Sequence, residues 1–151
     1  MSIVVIGQSR LFCRHLFNSI LDHVTRFSEK LKKARYAMDS PIAGDYSHII
    51  WDTQEFNIGI VYHSGIITID EAGLYRITTS IFANGDGDWK AKLNTYVNNK
   101  IYLTTVSTKA PGFSHGIIYL DVFDTVHFEK IGGPRLVDGT QQNYFTIEKI
   151  V

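Results

Sequence analysis

The amino-acid sequence predicts an all-β domain, a sandwich or a barrel, preceded by one amphipathic helix. From residue 48 onward, short segments rich in Ile, Val, Tyr, Phe and Thr alternate with turn residues, and none of them has a helical period. Over residues 13–38, apolar or small residues instead recur at spacings of four and three, which is typical of a helix. The chain has 151 residues, of which 44% are hydrophobic, and this is enough for one domain with an appendage.

The helix is predicted from Arg10 to Met38, with Ser9 as its N-cap, because no Pro or Gly interrupts the stretch between Arg10 and Pro41. The alternating spacing forms a heptad seam, which keeps one stripe of side chains toward a partner helix. We expect self-association of a stalk through this seam. The alternatives are a surface helix on its own sheet and a basic amphipathic helix that docks on a membrane or an acidic partner. The seam consists of Cys13, Phe17, Ile20, Val24, Phe27, Leu31, Ala34 and Met38.

The distribution of charge predicts two domains. Residues 1–40 contain seven basic and three acidic residues, whereas residues 41–151 contain eight basic and twelve acidic ones. The sign of the net charge changes at Ser40-Pro41, and Pro41 and Gly44 favour a break between domains there. We therefore predict a strand-and-helix stalk over residues 1–40, for which a coiled coil is one hypothesis, and a β domain over residues 45–151. The basic end of the helix is the predicted docking site for a larger assembly, and its residues are Lys30, Lys32, Lys33 and Arg35.

The β domain is predicted to contain eight to ten strands, separated by turns at positions such as Ser64-Gly65, Asn98-Asn99 and Gly132-Gly133. Residues 59–62 and 117–120 are apolar at successive positions, so both faces of these strands need burial. A free-standing sandwich buries one face only, which indicates a partner subunit. The predicted strands cover residues 48–53, 59–63, 66–69, 74–83, 89–97, 100–105, 116–122, 125–130 and 144–151.

Several of these segments resemble a C1q/TNF-like domain. The resemblance runs through Phe56-Asn57 and residues 62–81, where the block Gly73-Leu74-Tyr75 is the most specific part. Residues 120–126 resemble the family's leucine, Gly-Asp, valine segment, with Phe123 where the Gly is usual, and residues 145–147 resemble its last aromatic strand. The resemblance covers about residues 48–151.

This resemblance implies a ten-stranded jelly roll that assembles as a compact homotrimer, with apolar aromatic strands along the three-fold axis. Many such proteins carry a collagen stalk or a coiled coil before the domain, and because this chain has no Gly-Xaa-Yaa repeat, the predicted helix would be the stalk. We expect Gly73 to permit a tight turn and the other structural residues to fill the core. These core residues are Tyr75, Ile77, Ile81 and Phe145.

The sequence offers no catalytic residues. The six histidines form no metal-binding motif, Cys13 is best explained as a small buried thiol, and no nucleophile elbow or phosphate-binding loop is present. Asp86 and Asp88, in a Gly-rich loop, are a possible Ca²⁺ site, although a hairpin turn explains the loop better. No other cofactor is expected. An aromatic platform for sugar or protein is a further hypothesis, against a core or subunit role, for Trp51, Trp89, Tyr96 and Tyr102.

The resulting functional expectation is a non-enzymatic homotrimeric structural or attachment protein, most simply a virion component such as a capsid decoration or a fibre knob. A net charge of zero argues against nucleic-acid binding through bulk charge, and no apolar stretch is long enough for a membrane span. The single cysteine favours synthesis in a reducing cytoplasm. The alternative is a cellular or secreted C1q-like recognition module for protein or carbohydrate. A cupin-type enzyme would need clustered histidines and carboxylates, which the sequence pattern does not indicate.

Overall fold

The structure is a computed structural model, which describes residues 14–22, 31–38, 42, 48–83, 90–108, 110–136 and 142–150. The chain divides into two compact units, Met1–Leu31 and Lys32–Val151. The first unit contains a helix, α1, over residues 14–22, and the last residue of the unit, Leu31, is described but is not helical. Four large apolar side chains of α1 are each more than half exposed: Leu16, Phe17, Ile20 and Leu21. No helix within the described residues is long and apolar enough to cross a membrane.

The second unit is built from β-strands, ten of them within the described residues. The first five are β1 (Lys33–Ala37), β2 (Thr53–Ile58), β3 (Val61–His63), β4 (Ile66–Thr68) and β5 (Gly73–Ile81). The remaining five are β6 (Ala91–Val97), β7 (Lys100–Ser107), β8 (Gly112–Leu120), β9 (Thr125–Ile131) and β10 (Tyr144–Lys149).

These strands form two five-stranded antiparallel sheets. The first sheet has the order β2-β1-β10-β5-β8, and the second has the order β3-β4-β9-β6-β7. The first and the last strand of the unit are neighbours in the first sheet, with Ala34 opposite Ile147. On the other side of β10, Ile147 lies opposite Ile77 of β5. Strand β10 therefore inserts between β1 and β5.

The core lies between the two sheets and is rich in aromatic rings. The ring centroids of Phe128, from the second sheet, and Phe145, from the first, are 4.7 Å apart. Trp51 packs edge-on against both rings, at 5.5 and 5.4 Å, and Tyr36 stacks on Phe145 at 5.4 Å. The sequence-predicted core residues Tyr75, Ile77, Ile81 and Phe145 are all fully buried.

Gly73 is buried as the first residue of β5. It is not among the described glycines with a positive φ angle, which are Gly59, Gly65, Gly132 and Gly133. The tight turn expected at Gly73 thus requires no left-handed backbone.

The predicted helix is wrong at its C-terminal end, because residues 33–37 form strand β1 of the first sheet. The charged side chains of Lys33 and Arg35 alternate with Ala34 and Tyr36, which are buried. This period of two suits a strand with one face on the core, and pairing with β2 and β10 outweighs the local helical propensity. The predicted boundary at Ser40-Pro41 moves accordingly, since the β unit begins at Lys32.

Two strand predictions also differ from the structure. Residues 49–52 are not a strand, although Ile49 and Trp51 are buried in the core. The strand that follows, β2, has a burial pattern with no clean alternation, so its sequence lacked the usual signal. Strand β8 begins at Gly112, four residues before its predicted start, and passes through Ser114 and Gly116, two residues that do not favour strands by themselves.

Candidate functional site

The outward face of β8 carries three large apolar side chains, which we call the β8 stripe: Phe113, Ile117 and Tyr119. They are exposed by 59%, 55% and 59%. The inward positions Ser114 and Gly116 are small, so much of the apolar volume of β8 points away from the core of its own domain. The exposed His115 lies between Phe113 and Ile117 on the same face, so three of its four exposed positions are apolar. Water contact of these three side chains is unfavourable, and exposed apolar surface of this kind marks interaction sites.

Strand β5 extends the apolar surface of the stripe only next to Tyr119. Leu74 lies opposite Tyr119 and Arg76 lies opposite Ile117. Leu74 is itself exposed, whereas Arg76 forms an exposed ion pair with Glu148 of β10 at 3.6 Å. Because β8 is the last strand of the first sheet, the apolar surface is at the edge of that sheet and becomes polar toward its centre.

The opposite edge of the first sheet has a second apolar patch. Phe56 and Ile58 of β2 are both more than one-third exposed, and the ammonium group of Lys33 lies 5.7 Å from the centre of the Phe56 ring. An open groove of about 210 Å³ runs beside Phe56 and is also lined by Thr146 and Glu148. The first sheet therefore exposes apolar surface at both edges.

The predicted docking cations have local partners in the structure. Lys32 lies 2.7 Å from a carboxylate oxygen of Asp70, and Arg35 lies 2.8 Å from Glu55 and over the ring of Tyr144. Lys32, Lys33 and Arg35 follow one another before and along β1, so they do not form the free basic end of a helix that we expected. Lys30 lies outside the described residues.

A carboxylate next to these cations has a shifted pKa. Glu71 accepts a hydrogen bond from Lys149 and also lies 3.7 Å from Lys32. The bond from Lys149 is the main reason that the pKa of Glu71 falls below its usual value. This network connects β1, β10 and the turn before β5, and it is structural in character.

The seam residues are not brought together on one helix. Phe17 and Ile20 are exposed on α1, Leu31 is half-buried just before β1, and Ala34 is fully buried in the β core. Cys13, Val24 and Phe27 lie outside the described residues. A seam that continues to Ala34 and Met38 is therefore wrong, because Ala34 lies on the inward face of β1 and Met38, just after β1, is also buried in the core.

The predicted aromatic platform is contradicted by Trp51, which is buried in the core. The backbone N–H of Trp51 donates a hydrogen bond to the Tyr62 hydroxyl at 2.7 Å, and burial raises the pKa of Tyr62 to about 12. Tyr96 and Tyr102 are half-buried, and Trp89 lies outside the described residues, as do Asp86 and Asp88 of the predicted Ca²⁺ loop.

One exposed aromatic side chain stands on a strained turn between β8 and β9. Phe123 is 81% exposed and has a φ angle of 73°, a left-handed conformation that is uncommon for any residue with a Cβ atom. Its N–H donates to the carbonyl of Ile69 at 2.7 Å. Asp124 accepts a bond from the Asn98 side chain at 2.7 Å, which holds the turn on the β6–β7 hairpin.

A cluster that sequence reasoning missed lies on β9. The side-chain ligand atoms of His48, His127 and Glu129 all fall within 4.8 Å of one another. Burial, and next the nearby imidazole of His48, lower the pKa of His127, while Glu129 opposes this shift. Because almost eighty residues separate His48 from His127, no short sequence motif predicts the cluster.

Comparison with known proteins gives a fold but no sequence relative: no protein-family model matches the chain, and no curated protein matches it. Solved structures do match. TNF (Eiger) of S. frugiperda superposes with a TM-score of 0.66 at 12% identity, covering 80% of this chain and 93% of that one. The fold is a TNF-like jelly roll.

Two further TNF-like structures agree with this assignment. Murine APRIL, at pH 5.0, has a TM-score of 0.62 at 10% identity and covers 80% of this chain and 100% of its own. Rabbit GITRL has a TM-score of 0.55 at 12% identity, with coverages of 80% and 94%. The jelly roll predicted from the C1q/TNF-like resemblance is thus confirmed.

Proposed function

We propose that this TNF-like chain is a non-enzymatic binding protein that works as a homotrimer assembled through its first sheet. The β8 stripe carries the proposal, because it is a row of large apolar side chains on the outward face of an edge strand. The resemblance to C1q/TNF-like domains supports the same stoichiometry. The sequence carries no nucleophile elbow or phosphate-binding loop, and the structural neighbours are TNF-family domains.

The two apolar edges of the first sheet explain how a ring would close. In a cyclic trimer, each contact joins one patch of a copy to a different patch of the next copy. The β8 stripe of one copy would pack toward the β2 edge of its neighbour, where Phe56 and Ile58 are exposed. Burying each large apolar side chain contributes about 1.5–3 kcal/mol.

Analytical ultracentrifugation tests the assembly. The wild-type chain should sediment at three times its mass of 17.1 kDa. Ile117→Asp should weaken the trimer by about 2–3 kcal/mol per chain, since a carboxylate would have to be desolvated in each contact. A matched control is Ile101→Asp, because Ile101 is 58% exposed but lies on β7 of the second sheet.

The proposal fails if the wild-type chain sediments as a monomer, or if Ile117→Asp and Ile101→Asp change the mass equally. Circular dichroism of both variants separates loss of assembly from loss of folding.

The place where such a trimer would act stays a prediction. A virion component made in the cytoplasm is the hypothesis from the sequence, and neither the fold nor its neighbours bear on it. A C1q-like recognition module for protein or carbohydrate is the alternative. Imaging of purified virus particles with an antibody against this chain tests the virion hypothesis. Label on the particles would support it, and label confined to the unassembled fraction would contradict it.

A further inference from the structure

We propose that His48, His127 and Glu129 bind one Zn²⁺ ion on the outer face of the second sheet. The proposal goes beyond trimer formation and does not depend on it, since these residues lie on a different sheet from the β8 stripe.

Strand alternation places two of the three ligands. Val126 and Phe128 of β9 point into the core, so His127 and Glu129 point to the opposite face. His127 is nevertheless only 4% exposed. Two rings cover it: Tyr96 stacks in parallel at 4.9 Å, and His48 meets it edge-on at 4.4 Å.

The separation of the first two ligands fits a metal better than a hydrogen bond. Nε2 of His127 lies 3.6 Å from Oε1 of Glu129, which is longer than a normal hydrogen bond between nitrogen and oxygen. Tetrahedral Zn²⁺ with bonds of about 2.1 Å holds neighbouring ligand atoms about 3.4 Å apart. The two side chains therefore stand at nearly the spacing that one zinc ion would need.

The third ligand is held in place by its backbone. His48 has a φ angle of 59°, and the next residue, Ile49, donates its N–H to the carbonyl of Phe128 at 2.8 Å. On the other side, a Cβ atom on Gly65 would lie 2.9 Å from the Ile49 carbonyl and 3.3 Å from that of His48. The β3–β4 turn and β9 thus hold the His48 backbone between them.

The donor set indicates the ion. Two imidazoles and one carboxylate form a common set for zinc, which leaves a fourth position for water. Mg²⁺ and Ca²⁺ prefer oxygen ligands, and a site with two nitrogen donors disfavours them. Zinc in this position would attach the segment around His48 to β9.

Calorimetric titration of the full-length, EDTA-treated and dialysed chain with Zn²⁺ tests the proposal. We expect one ion per chain with micromolar or tighter affinity, and no binding of Mg²⁺. His48→Ala and Glu129→Gln should each weaken zinc binding at least about tenfold. Neither variant removes a buried side chain, so both should fold, and circular dichroism checks this.

His63→Ala is the matched control, because His63 is another exposed histidine of the second sheet that lies on β3. It should leave the affinity unchanged. Co²⁺ in place of Zn²⁺ should give the visible absorption of a four-coordinate ion, which His48→Ala should abolish. The site is refuted if Zn²⁺ shows no saturable binding up to millimolar concentration, or if His48→Ala and Glu129→Gln bind it as tightly as the wild type.

Discussion

At the scale of single residues, Phe123 combines strain with exposure. A left-handed φ costs a residue with a Cβ atom about 1–2 kcal/mol, while glycine adopts it freely. The C1q/TNF-like resemblance has glycine at this position, and the observed angle of 73° gives the physical reason. The exposed ring gains little from packing on its own domain.

Phe123→Gly should therefore raise the free energy of unfolding by about 1 kcal/mol, measured by urea denaturation. Phe123→Ala provides the control, since it removes the ring and keeps the strain. It should leave the stability within about 0.5 kcal/mol of wild type. A loss of stability in Phe123→Gly would show that the ring contributes to folding and that the strain argument is wrong.

Two tyrosines, the fully buried Tyr75 and the partly buried Tyr62, predict a loss of stability in alkali. Burial raises the pKa of Tyr75 and of Tyr62 to about 12, from an ordinary value of 10.0. The unfolded chain then loses these protons first, so the contribution of each tyrosine is complete below pH 10 and disappears as the pH rises toward 12.

Tyr75→Phe tests whether Tyr75 loses its contribution to stability as the pH rises above 10. Below pH 10 the variant should be less stable by about 1 kcal/mol, because the Tyr75 hydroxyl donates to the carbonyl of Glu71 at 2.6 Å. Above pH 10 this deficit should shrink, since only the wild type still has a proton to lose at position 75. Urea denaturation at a series of pH values measures the difference, and a deficit that stays constant or grows would contradict the assignment.

At the scale of elements, β1 shows both the success and the limit of sequence reasoning. Spacings of four and three place Leu31, Ala34 and Met38 on one side of a helix, but the same stretch also alternates charged and apolar residues, as a strand does. The pairing of β1 with β10 decides between the two, and that partner lies more than a hundred residues away. Local patterns cannot contain this information.

A pair of charge substitutions separates the two interpretations of this stretch. Ala34→Asp should lower the free energy of unfolding by about 3–5 kcal/mol, because it buries an unpaired carboxylate in the β core. Ile20→Asp, at an exposed position of α1, should change it by less than about 0.5 kcal/mol. If Ala34→Asp and Ile20→Asp lowered the stability equally in thermal and urea unfolding, Ala34 would belong to a helical seam.

The strands with strong alternation or well-placed turns were predictable, among them β5, β6 and β10, and so was the core around Tyr75 and Phe145. The β8 stripe was foreseen in part, from the apolar run at residues 117–120. The histidine cluster was not, because topology rather than spacing brings His48 to β9. Sites made by long-range pairing of isolated residues leave no motif in the sequence.

At the scale of the whole molecule, both sheets expose apolar side chains at their edges. In the first sheet these include Phe113 on β8 and Phe56 on β2, and in the second they include Val61 on β3 and Ile101 on β7. The second carries the histidine cluster and, at one end, the turn with Phe123. Assembly through the first sheet would leave the outer face of the second free, so subunit contact and any further binding would use separate surfaces.

The position of β10 between β1 and β5 has a consequence for the order of events during synthesis. The ribosome makes β1 and its neighbour β2 before the other described strands of the unit, but β10, which pairs with the opposite edge of β1, follows all of them. Ala34 and Tyr36 can therefore pair early with β2, but they lack their β10 neighbours, Ile147 and Phe145, until those residues are made. Long-range pairing of this kind slows folding and prolongs exposure to aggregation. A message truncated before residue 144 would yield a chain whose first sheet lacks its central strand, so β10 must be made before this sheet can form completely.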